Sequence, residues 1–354
     1  MLLSRPDPSF WRGKRVLVTG HTGFKGGWAA LWLQQLGADV SGLALPPEPL
    51  SLFWLAHLDG PVHSHLVDLR DASAVTEVVR AVQPQIVLHL AAQALLPRAL
   101  VEPAETFAVN VTGTVNLLAA LSGIEPLAAV LVITSDKVYA ASEVPHAHVE
   151  SDPLGGGDPY SASKAACELA TAAMAQSFLR PRGVVVATAR AGNVIGGGDF
   201  APRRLVPDVV RAARDDTALE LRDPNATRPW QHVLDCVAGY LTYLQALTSV
   251  PDVPTALNFG PRGATRRTAG DLAVAVQQAL GVTRSWRQQP DPALPEAHAL
   301  AIDSTLARRW LGWTDRLTGA PMIEQTAAWY RAWSEGADMR AVTLRQIRNY
   351  EALA

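Results

Sequence analysis

A short glycine-rich stretch near the start of the chain, VLVTGHTGFKGGW (Val16 to Trp28), constrains the fold more than any other feature of the sequence. Branched apolar side chains precede Gly20, Gly23 and Gly26, and a tryptophan-containing, helix-forming segment follows them. Where a first strand turns into a first helix, glycines let the backbone approach a ligand, and the free N–H groups at the helix start favour a pyrophosphate. The stretch therefore predicts a phosphate-binding loop or, as the alternative, a plain tight turn.

Short apolar strands alternate with helix-length segments from Arg15 to about Val194. The pattern predicts strands at Val16–Thr19, Asp39–Leu43, His65–Asp68, Ile86–Leu90, Ala129–Thr134 and Val184–Arg190, and helices at Gly27–Leu36 and Ala72–Val82. Alternating strands and helices imply a parallel sheet with helices on both faces, which is a doubly wound α/β fold.

The alternation weakens beyond Asn193, where loops rich in Gly, Pro and Arg surround a predicted helix at Leu205–Arg214 and a helical tail at Pro321–Leu353. A chain of 354 residues is long enough for one large domain or two joined ones. We expect a dinucleotide-binding domain formed by residues 1–189 and 232–257, and a smaller domain formed by residues 190–231 and 258–354.

Composition excludes several classes of protein. The apolar runs fall far short of the roughly 18 residues that a membrane helix needs, and the first ten residues lack the pattern of a signal peptide, so we expect a cytoplasmic protein without a membrane partner. Cys167 and Cys236 provide neither a disulfide framework nor a metal-ligand spacing, and no metal site is expected. A net charge of −2 predicts no nucleic-acid partner.

The segment after the glycine loop leaves the choice of dinucleotide open. Such folds commonly place Asp or Glu about 20 residues further on, where it binds the adenosine ribose, but here the second strand ends in SGLALPP. No arginine cluster that would suit a 2′-phosphate replaces the acid, so NAD and NADP are not distinguished by this segment. Asp68 after the third strand is a candidate adenosine contact, or else a helix-start charge beside Asp71.

Two further motifs carry residues suited to acid–base chemistry. In DPYSASKAACELA, Tyr160 and Lys164 lie one helical turn apart, and a lysine ammonium near a phenol can lower the pKa of the phenol. In VITSDKVY, Ser135, Asp136 and Lys137 follow the fifth strand, at the sheet edge where open α/β folds bind ligands. As the alternative, Tyr160 and Lys164 would lie at the start of an ordinary surface helix, and Ser135 to Lys137 would form a solvent-exposed turn. Only four of the 31 basic residues are lysines, and two of the four fall in these motifs, which favours the active interpretation.

Taken together, the glycine loop, HLAAQ after the fourth strand, Ser–Asp after the fifth and Tyr-x-x-x-Lys resemble the extended short-chain dehydrogenase/reductase superfamily. Within it, TSDKVY, GGGDPYSASK, RAGNVIGGGDF, RPWQHV and PEAHAL are similar to the CDP-glucose 4,6-dehydratases, and the similarity runs from Phe10 to about Trp333. The resemblance implies an α/β fold with a Rossmann-type doubly wound parallel sheet and a smaller C-terminal substrate-binding domain. It also implies NAD as cofactor and a homodimer that pairs through the Tyr160 helix and the helix around Asn110 to Leu121.

The resemblance further implies a reaction in which a nucleotide-linked glucose becomes a 4-keto-6-deoxy sugar, with NAD as a temporary hydride store. Tyr160, supported by Ser135 and Lys164, would take the proton of the 4-hydroxyl, and protonated Asp136 would help the 6-hydroxyl leave as water. The dTDP-sugar enzymes carry an acidic residue after this Asp, whereas the CDP-sugar enzymes carry lysine. Lys137 would therefore be the base at C5, in its neutral form, and its presence favours a cytidine nucleotide.

The remaining contacts are assigned by the same resemblance, in two sets. The cofactor set comprises Gly20, His21, Thr22, Gly23, Phe24, Lys25, Gly26, Asp68, Leu69, Leu90, Ala91 and Ala92, together with Tyr160 and Lys164. The substrate set comprises Gln93, Asn110, Asn193, Arg203, Leu205, Arg228 and His298, with Glu296 close by. Arg190 is expected to be structural and Trp230 to pack rather than stack.

Two rival functions share most of these features. A nucleotide-sugar epimerase or reductase uses the same fold and Tyr-x-x-x-Lys, but it needs neither an acid for departure of the 6-hydroxyl nor a base at C5, so Asp136 with Lys137 is the discriminating pair. Loss of Tyr160 or Lys164 would have favoured a non-catalytic NAD(P)-binding protein, but the chain has both residues.

Overall fold

The computed structural model describes residues 3–142, 146–262, 267–290 and 301–353. Within these residues, seven parallel strands form one sheet and two short pairs of parallel strands lie beside it. In chain order the strands are β1 Arg15–Thr19, β2 Asp39–Ala44, β3 His63–Leu66, β4 Ile86–His89, β5 Ala129–Ile133, β6 Val185–Ala191, β7 Val194–Ile195, β8 Leu219–Leu221, β9 Gln231–His232, β10 Ala256–Phe259 and β11 Trp286–Gln288.

The strand order of the large sheet is β10-β6-β5-β4-β1-β2-β3. The direction of winding reverses between β1 and β4, so their carboxyl ends border the crevice in which doubly wound sheets bind dinucleotides. The small pairs are β7 with β9 and β8 with β11. The predicted doubly wound α/β fold is confirmed.

The helices are of very different lengths. They are α1 Pro8–Trp11, α2 Phe24–Gln35, α3 Leu52–Leu55, α4 Ala72–Val82, α5 Leu96–Val101, α6 Pro103–Phe107, α7 Gly113–Leu121, α8 Pro159–Met174, α9 Leu205–Arg214, α10 Val233–Ser249, α11 Ala269–Ala279, α12 Thr305–Leu311, α13 Gly319–Ser334 and α14 Met339–Glu351. Short π-helical segments at Ala108–Thr112 and Ala175–Leu179 adjoin α7 and α8. No helix of the described residues combines the length and the apolar character that a bilayer crossing requires.

Two apolar layers cover the faces of the sheet. One face packs against α2 and α10, and the buried tryptophans Trp28, Trp32 and Trp329 belong to this layer. The other face packs against α4, α7 and α8 around Leu117, Leu121 and Val132. Burial on both faces explains why the central strands are continuous apolar runs rather than alternating ones.

Three of the differences between the structure and the predicted elements are instructive. β3 begins two residues before the predicted strand, because its sequence HSHL is polar and lies at the sheet edge, where only the backbone ladder to β2 defines it. β10 was not predicted at all. The predicted single helical tail is two helices, separated at Gly336 with φ +74° and restarted by the Asp338 side chain, which caps α14.

Two of the predicted domain boundaries fall inside strands of the large sheet. The boundary after residue 189 lies within β6, and the boundary after residue 257 lies within β10. The division into two domains therefore stays a prediction.

Candidate active site

A cleft of about 1670 Å³ opens at the carboxyl edge of the sheet. Its walls combine the loops after β5 and β6, the start of α8 and the segment around α9. Ten of the predicted site residues line it: Phe24, Lys25, Ser135, Asp136, Lys137, Tyr160, Asn193, Arg203, Leu205 and Arg228. The cleft thus brings the two acid–base motifs together with the predicted diphosphate contacts.

The Ser135 to Lys137 motif forms a tight turn directly after β5. The Ser135 Oγ accepts a hydrogen bond from the Lys137 backbone N–H at 3.2 Å and donates one to Asp136 Oδ1 at 3.1 Å. A 3₁₀ turn at Asp136–Val138 follows. Because a side chain closes this turn, the orientation of all three residues is encoded locally.

Asp136 is almost completely buried, with 3% of its surface exposed. Its Oδ2 has no hydrogen-bond partner within the described part of the chain. Burial raises the pKa of this carboxyl, although the charges of Lys137, Arg228 and Lys25 and the hydrogen bond from Ser135 oppose the shift. Since burial outweighs the opposing contributions, the protonated acid is favoured relative to an exposed aspartate.

Tyr160 and Lys164 lie on the first turns of α8, which begins at Pro159 and is capped by the Asp158 side chain. Burial raises the pKa of the Tyr160 phenol, and a hydrogen bond with Ser135 opposes this. The net shift is therefore opposite to the lowering that the Tyr160–Lys164 spacing suggested. Lys164 Nζ instead donates to the Ile133 carbonyl at 3.2 Å, and burial lowers the pKa of its ammonium.

Behind this pair, a buried ion pair that sequence reasoning missed joins α8 to β6. Arg190 and Glu168 meet at 2.9 Å, and both side chains are 5% exposed. Thr134 and Thr188 donate their hydroxyl protons to the Glu168 carboxylate. The available signal was spacing, because Glu168 lies four residues after Lys164 and shares its helix face. Arg190 is structural, as expected.

The glycine loop is shaped by close backbone contacts. Gly20 has φ +74°, and a Cβ there would lie 2.8 Å from the Ala91 nitrogen. A Cβ on Gly26 would lie 2.0 Å from the Gly20 carbonyl oxygen. The first turn of α2 can therefore pack against Gly20 only because residue 26 has no side chain. Gly23 forms the N-cap of α2. These residues fit a dinucleotide pyrophosphate, because the loop is free of side chains where a phosphate would approach a helix N-terminus.

The side chains of the other loop residues contact their own surroundings. His21 is buried, its Nε2 lies 2.6 Å from the Ser64 Oγ, and burial lowers its pKa to about 4. The Thr22 hydroxyl donates to the Leu45 carbonyl at 3.1 Å. Burial lowers the pKa of Lys25, which lines the cleft, and the charges of Asp136 and Asp199 oppose this shift.

The loop after β4 crosses the glycine loop. The backbone N–H groups of Leu90 and Ala91 both donate to the Thr19 Oγ1 at 3.1 Å, and Ala92 continues this segment. Thr19 Oγ1 also lies 2.6 Å from Nδ1 of buried His89, a contact that the sequence did not reveal. The strand ends β1 and β4 are therefore held together at the crevice.

Gln93 and Asn110 form a buried hydrogen-bonded pair. The Asn110 Oδ1 accepts from the Gln93 N–H at 2.8 Å, and its Nδ2 donates to the Gln93 carbonyl at 3.0 Å. The Gln93 side chain bonds the backbone of Leu95 and the hydroxyl of Thr106. These contacts shape the loop that borders the cleft at Leu95.

Asp68 and Leu69 follow the β3 edge. The Asp68 carboxylate pairs with Arg70 at 2.6 Å, and the hydrogen bond from Arg70 lowers the pKa of Asp68. Leu69 is 5% exposed and packs against Gly113. Helix α4 is capped by Asp71, so Asp68 does not serve as the helix-start residue.

Arginines dominate the opposite wall of the cleft. Arg228 acts on Asp136 through its charge, and Arg203 adopts a left-handed backbone conformation with φ +61° just before α9. Arg204 pairs with Asp199 at 3.1 Å, and Leu205 begins α9. Trp230 donates to the Arg267 carbonyl and packs against the apolar core, as expected. His298 and Glu296 lie outside the described residues.

Comparison with known proteins gives a consistent family assignment. The model of the NAD dependent epimerase/dehydratase family matches residues 16–260. The CDP-glucose 4,6-dehydratase of Salmonella typhimurium is 40% identical over 351 residues, which cover 97% of this chain and 98% of that protein. The dTDP-glucose 4,6-dehydratase of Streptomyces antibioticus is 32% identical over 278 residues, which cover 76% of this chain and 77% of that protein.

Solved structures show the same fold. The dTDP-glucose 4,6-dehydratase of Bacillus anthracis in complex with NAD matches with a TM-score of 0.76 at 20% identity, and the match covers 92% of this chain and 99% of that one.

Proposed function

The chain belongs to the NAD dependent epimerase/dehydratase family, and we propose that it is a hydro-lyase that converts CDP-D-glucose to CDP-4-keto-6-deoxy-D-glucose. The observation that carries this proposal is the Asp136–Lys137 pair, which faces the same cleft as Tyr160. The 40% identity to a CDP-glucose 4,6-dehydratase over nearly the whole chain supports the same reaction and the same nucleobase.

NAD is the cofactor named in the family description. We propose that the glycine loop from Gly20 to Gly26 holds its pyrophosphate, that Asp68 and Leu69 border its adenosine, and that Leu90 to Ala92 line the crevice beside it. When bound, NAD supplies the hydride acceptor for C4 of the sugar and the hydride donor for C6.

We assign Tyr160 as the base that takes the proton of the sugar 4-hydroxyl as C4 is oxidised. Tyr160 has to be the phenolate before this step and becomes the neutral phenol as it takes the proton. The Ser135 hydroxyl, turned from Asp136 towards the phenol oxygen, stabilises that phenolate by hydrogen bonding. Lys164 contacts the end of β5 and fixes the first turns of α8, so that the phenol stays at the carboxyl edge of the sheet.

The elimination step uses the two residues after Ser135. Once C4 is a ketone, Lys137 in its neutral form removes the acidified C5 proton, and the electron pair forms the C5–C6 double bond. Asp136 donates its proton to the departing 6-hydroxyl, which leaves as water. Burial favours the protonated Asp136 that this step needs, and Lys137 is partly exposed to the cleft.

We further propose that the wall opposite Tyr160 binds the nucleotide. The planar guanidinium of Arg228 suits a diphosphate, with Asn193 beside the sugar diphosphate and with Arg203 and Leu205 beside the nucleobase. Gln93 and Asn110 shape the cleft through the loop that they brace, and His298 stays a predicted substrate contact.

The rival function is a nucleotide-sugar epimerase or reductase of the same family. Such an enzyme needs neither a protonated acid at the sugar 6-hydroxyl nor a base at C5. The buried Asp136 Oδ2, which has no hydrogen-bond partner among the described residues, therefore favours the dehydratase.

The proposal is tested by incubating the purified protein and NAD with CDP-, dTDP-, UDP- and GDP-glucose and following the product by mass spectrometry. We expect the loss of one water from the CDP sugar, with much slower turnover of the others. Epimerised or merely oxidised sugar without loss of water would assign the protein to the rival function, and preferred turnover of another nucleotide would correct the nucleobase.

We also propose a homodimer that pairs through α7 and α8. Apolar side chains on this side of the molecule are exposed, among them Leu169 with 63% and Val101 with 80% of their surfaces, and such patches mark association surfaces. Sedimentation velocity should find a dimer that Leu169→Arg weakens, whereas Val274→Arg, which replaces an exposed residue of α11, should leave it intact. A monomeric wild type would contradict this.

Two finer points remain proposals. We propose that the protein acts in the cytoplasm, which is supported by two buried free cysteines. We also propose that residues 1–189 and 232–257 bind the dinucleotide, while residues 190–231 and 258–354 bind the nucleotide sugar.

A further inference from the structure

Three side chains on the loop between β5 and α8 converge on one point. His146 Nε2 and His148 Nδ1 lie 2.7 Å and 2.8 Å from the same atom, Asp152 Oδ2. The described residues contain one group of three or more histidine, cysteine or carboxylate side chains whose ligand atoms all lie within 4.8 Å of one another, and it is this one. Two imidazoles and a carboxylate form a donor set suited to a transition metal.

The backbone holds His148 firmly. Its N–H donates to the Ala301 carbonyl at 2.9 Å, and its own carbonyl accepts from the Asp303 N–H at 2.8 Å and from the Asn258 Nδ2 at 2.9 Å. Its ring stacks on Tyr139, with 4.6 Å between the ring centroids and an interplanar angle of 5°. This ligand is therefore fixed in both position and ring orientation.

Asp152 is fixed by a tight turn. Its N–H donates to the Val149 carbonyl at 3.0 Å, and its Oδ2 accepts from the Val149 N–H at 3.3 Å. His146 is the most exposed ligand, with 41% of its side chain accessible. His148 and Asp152 are already held in place and only His146 has to adjust, so binding an ion costs little conformational entropy.

We propose that His146 Nε2, His148 Nδ1 and Asp152 Oδ2 bind one divalent transition-metal ion, with Zn²⁺ as the ion that this donor set suits best. Metal–ligand bonds of about 2 Å in a tetrahedral site place ligand atoms roughly 3.3 Å apart. The observed separations from Asp152 Oδ2 need to widen by only about half an ångström to reach this geometry. Mg²⁺ and Ca²⁺ are disfavoured because they select oxygen ligands.

Groups of both charges surround the three ligands, and the cleft gives access to them. Glu150 and Asp303 lie close enough to interact electrostatically, Glu150 accepts from the Asn258 N–H, and the Asp303 backbone bonds His148. The Arg190 guanidinium also acts on Glu150 and donates to its backbone carbonyl, so the negative charge available to an ion at this site is chiefly that of Asp152. His146 and His148 also line the cleft, so an ion held there remains accessible to chelators and can complete its coordination with water.

The spacing of the two cysteines predicted no metal site, but it does not bear on histidine and carboxylate ligands. The proposal does not depend on the reaction proposed above, since its test measures metal content rather than turnover. Its rival is a metal-free loop clasp, in which both imidazoles merely hydrogen-bond Asp152.

The test uses the untagged full-length protein, stripped with EDTA and dialysed into phosphate-free buffer, and titrated with ZnCl₂ alone by calorimetry. We expect one Zn²⁺ per chain, with affinity at least tenfold weaker in His146→Gln and in Asp152→Asn. His63→Gln is the matched control, because His63 and Asp39 form an exposed histidine–aspartate pair at 3.7 Å that belongs to no group of three converging ligand atoms among the described residues. It should bind Zn²⁺ as the wild type does.

A second readout separates ligation from folding. Co²⁺ added to the stripped wild type should give visible d–d absorption with nitrogen ligation, and this absorption should be lost in both variants while their far-UV circular dichroism stays unchanged. Exposed His146 can be replaced without touching the core, so this variant keeps the test valid if Asp152→Asn fails to fold. Wild-type protein that binds no Zn²⁺, or equal binding by His146→Gln, would overturn the proposal in favour of the loop clasp.

Discussion

At the scale of single residues, the properties of Asp136 depend on a balance between burial and charge. Lys137, Arg228 and Lys25 all favour its ionised form, yet burial still raises its pKa. A carboxyl that keeps its proton is what protonation of a leaving hydroxyl requires. The neighbouring cations also suit the developing negative charge once that proton is transferred.

Replacement of the proposed base gives the first prediction. Lys137→Ala should reduce water elimination at least about 100-fold, since general bases commonly contribute 10² to 10⁴ in rate, while NAD affinity stays unchanged. Product formation is followed by mass spectrometry and cofactor binding by fluorescence titration. The control is Lys14→Ala, because Lys14 lies just before β1, at the opposite edge of the sheet. Dehydration at the wild-type rate by Lys137→Ala would refute the assignment of the base.

The buried Glu168 gives a second prediction at this scale. Glu168→Ala leaves the Arg190 charge without its partner, and we expect a loss of about 3 to 5 kcal/mol in the free energy of unfolding. Glu125→Ala breaks an exposed pair with Arg182, and should cost no more than about 1 kcal/mol. Urea unfolding of both variants measures the difference. Equal losses would mean that burial of the Glu168–Arg190 pair is energetically unimportant.

At the scale of elements, the strand-to-helix turns determine where chemistry occurs. The turn from β1 to α2 is shaped by glycines, the turn after β5 by the Ser135 hydroxyl, and the start of α8 by Asp158 and Pro159. Each device is local, and the parallel sheet brings the three turns to one edge.

The β1 to α2 turn supplies the third prediction. In Gly26→Ala the new methyl group would meet the Gly20 carbonyl oxygen, and we expect NAD affinity to fall at least tenfold and the free energy of unfolding to fall by about 1 to 3 kcal/mol. Gly60→Ala is the matched control, because its Cβ would meet nothing within 4 Å. Unchanged NAD binding by Gly26→Ala would argue that this loop is a plain turn.

At the scale of the whole molecule, Asp235 joins the end of the chain to the rest of the protein. Its carboxylate accepts from the backbone N–H groups of Arg316 and Leu317 at 2.7 Å and 3.1 Å, and from the Tyr350 hydroxyl of α14 at 2.8 Å. Burial raises the pKa of Asp235 from 3.8 to about 7. Segments more than 80 residues apart in sequence thus meet at one titrating group.

A pH dependence of stability follows as the fourth prediction. The unfolded chain releases the Asp235 proton near pH 3.8 and the folded chain near pH 7. The contribution of this group is therefore complete below about pH 4 and is lost by about pH 7, a decrease of up to about 4 kcal/mol in the free energy of unfolding.

Asp235→Asn should remove this decrease, and urea unfolding of both proteins at pH 5 and pH 8 measures it. Asp71→Asn is the control, since hydrogen bonding from the Ala74 backbone lowers the pKa of Asp71 and its replacement leaves the Asp235 contribution in place. A decrease of the same size in Asp235→Asn and in the wild type would assign the pH dependence to other groups.

Motifs with a local physical cause were predictable from the sequence. The glycine loop, the helices at Ala72–Val82 and Leu205–Arg214, and the parallel sheet all follow from periodicity and turn chemistry. Elements defined by non-local pairing were less predictable. β3 is polar and was placed two residues late, and β10 was missed, because its four residues form a strand only through pairing with β6.

The sequence by itself determined which residues carry reactive groups and on which side of the sheet they lie, because strand direction and local turns fix that. Only the tertiary structure decided the direction in which their pKa values shift and which partners they have. Burial of Asp136 and Tyr160, the contact of Lys164 with the Ile133 carbonyl, and the convergence of His146, His148 and Asp152 all depend on how loops pack against distant segments. The free energy of desolvation is a property of that packing, and no spacing along the chain encodes it.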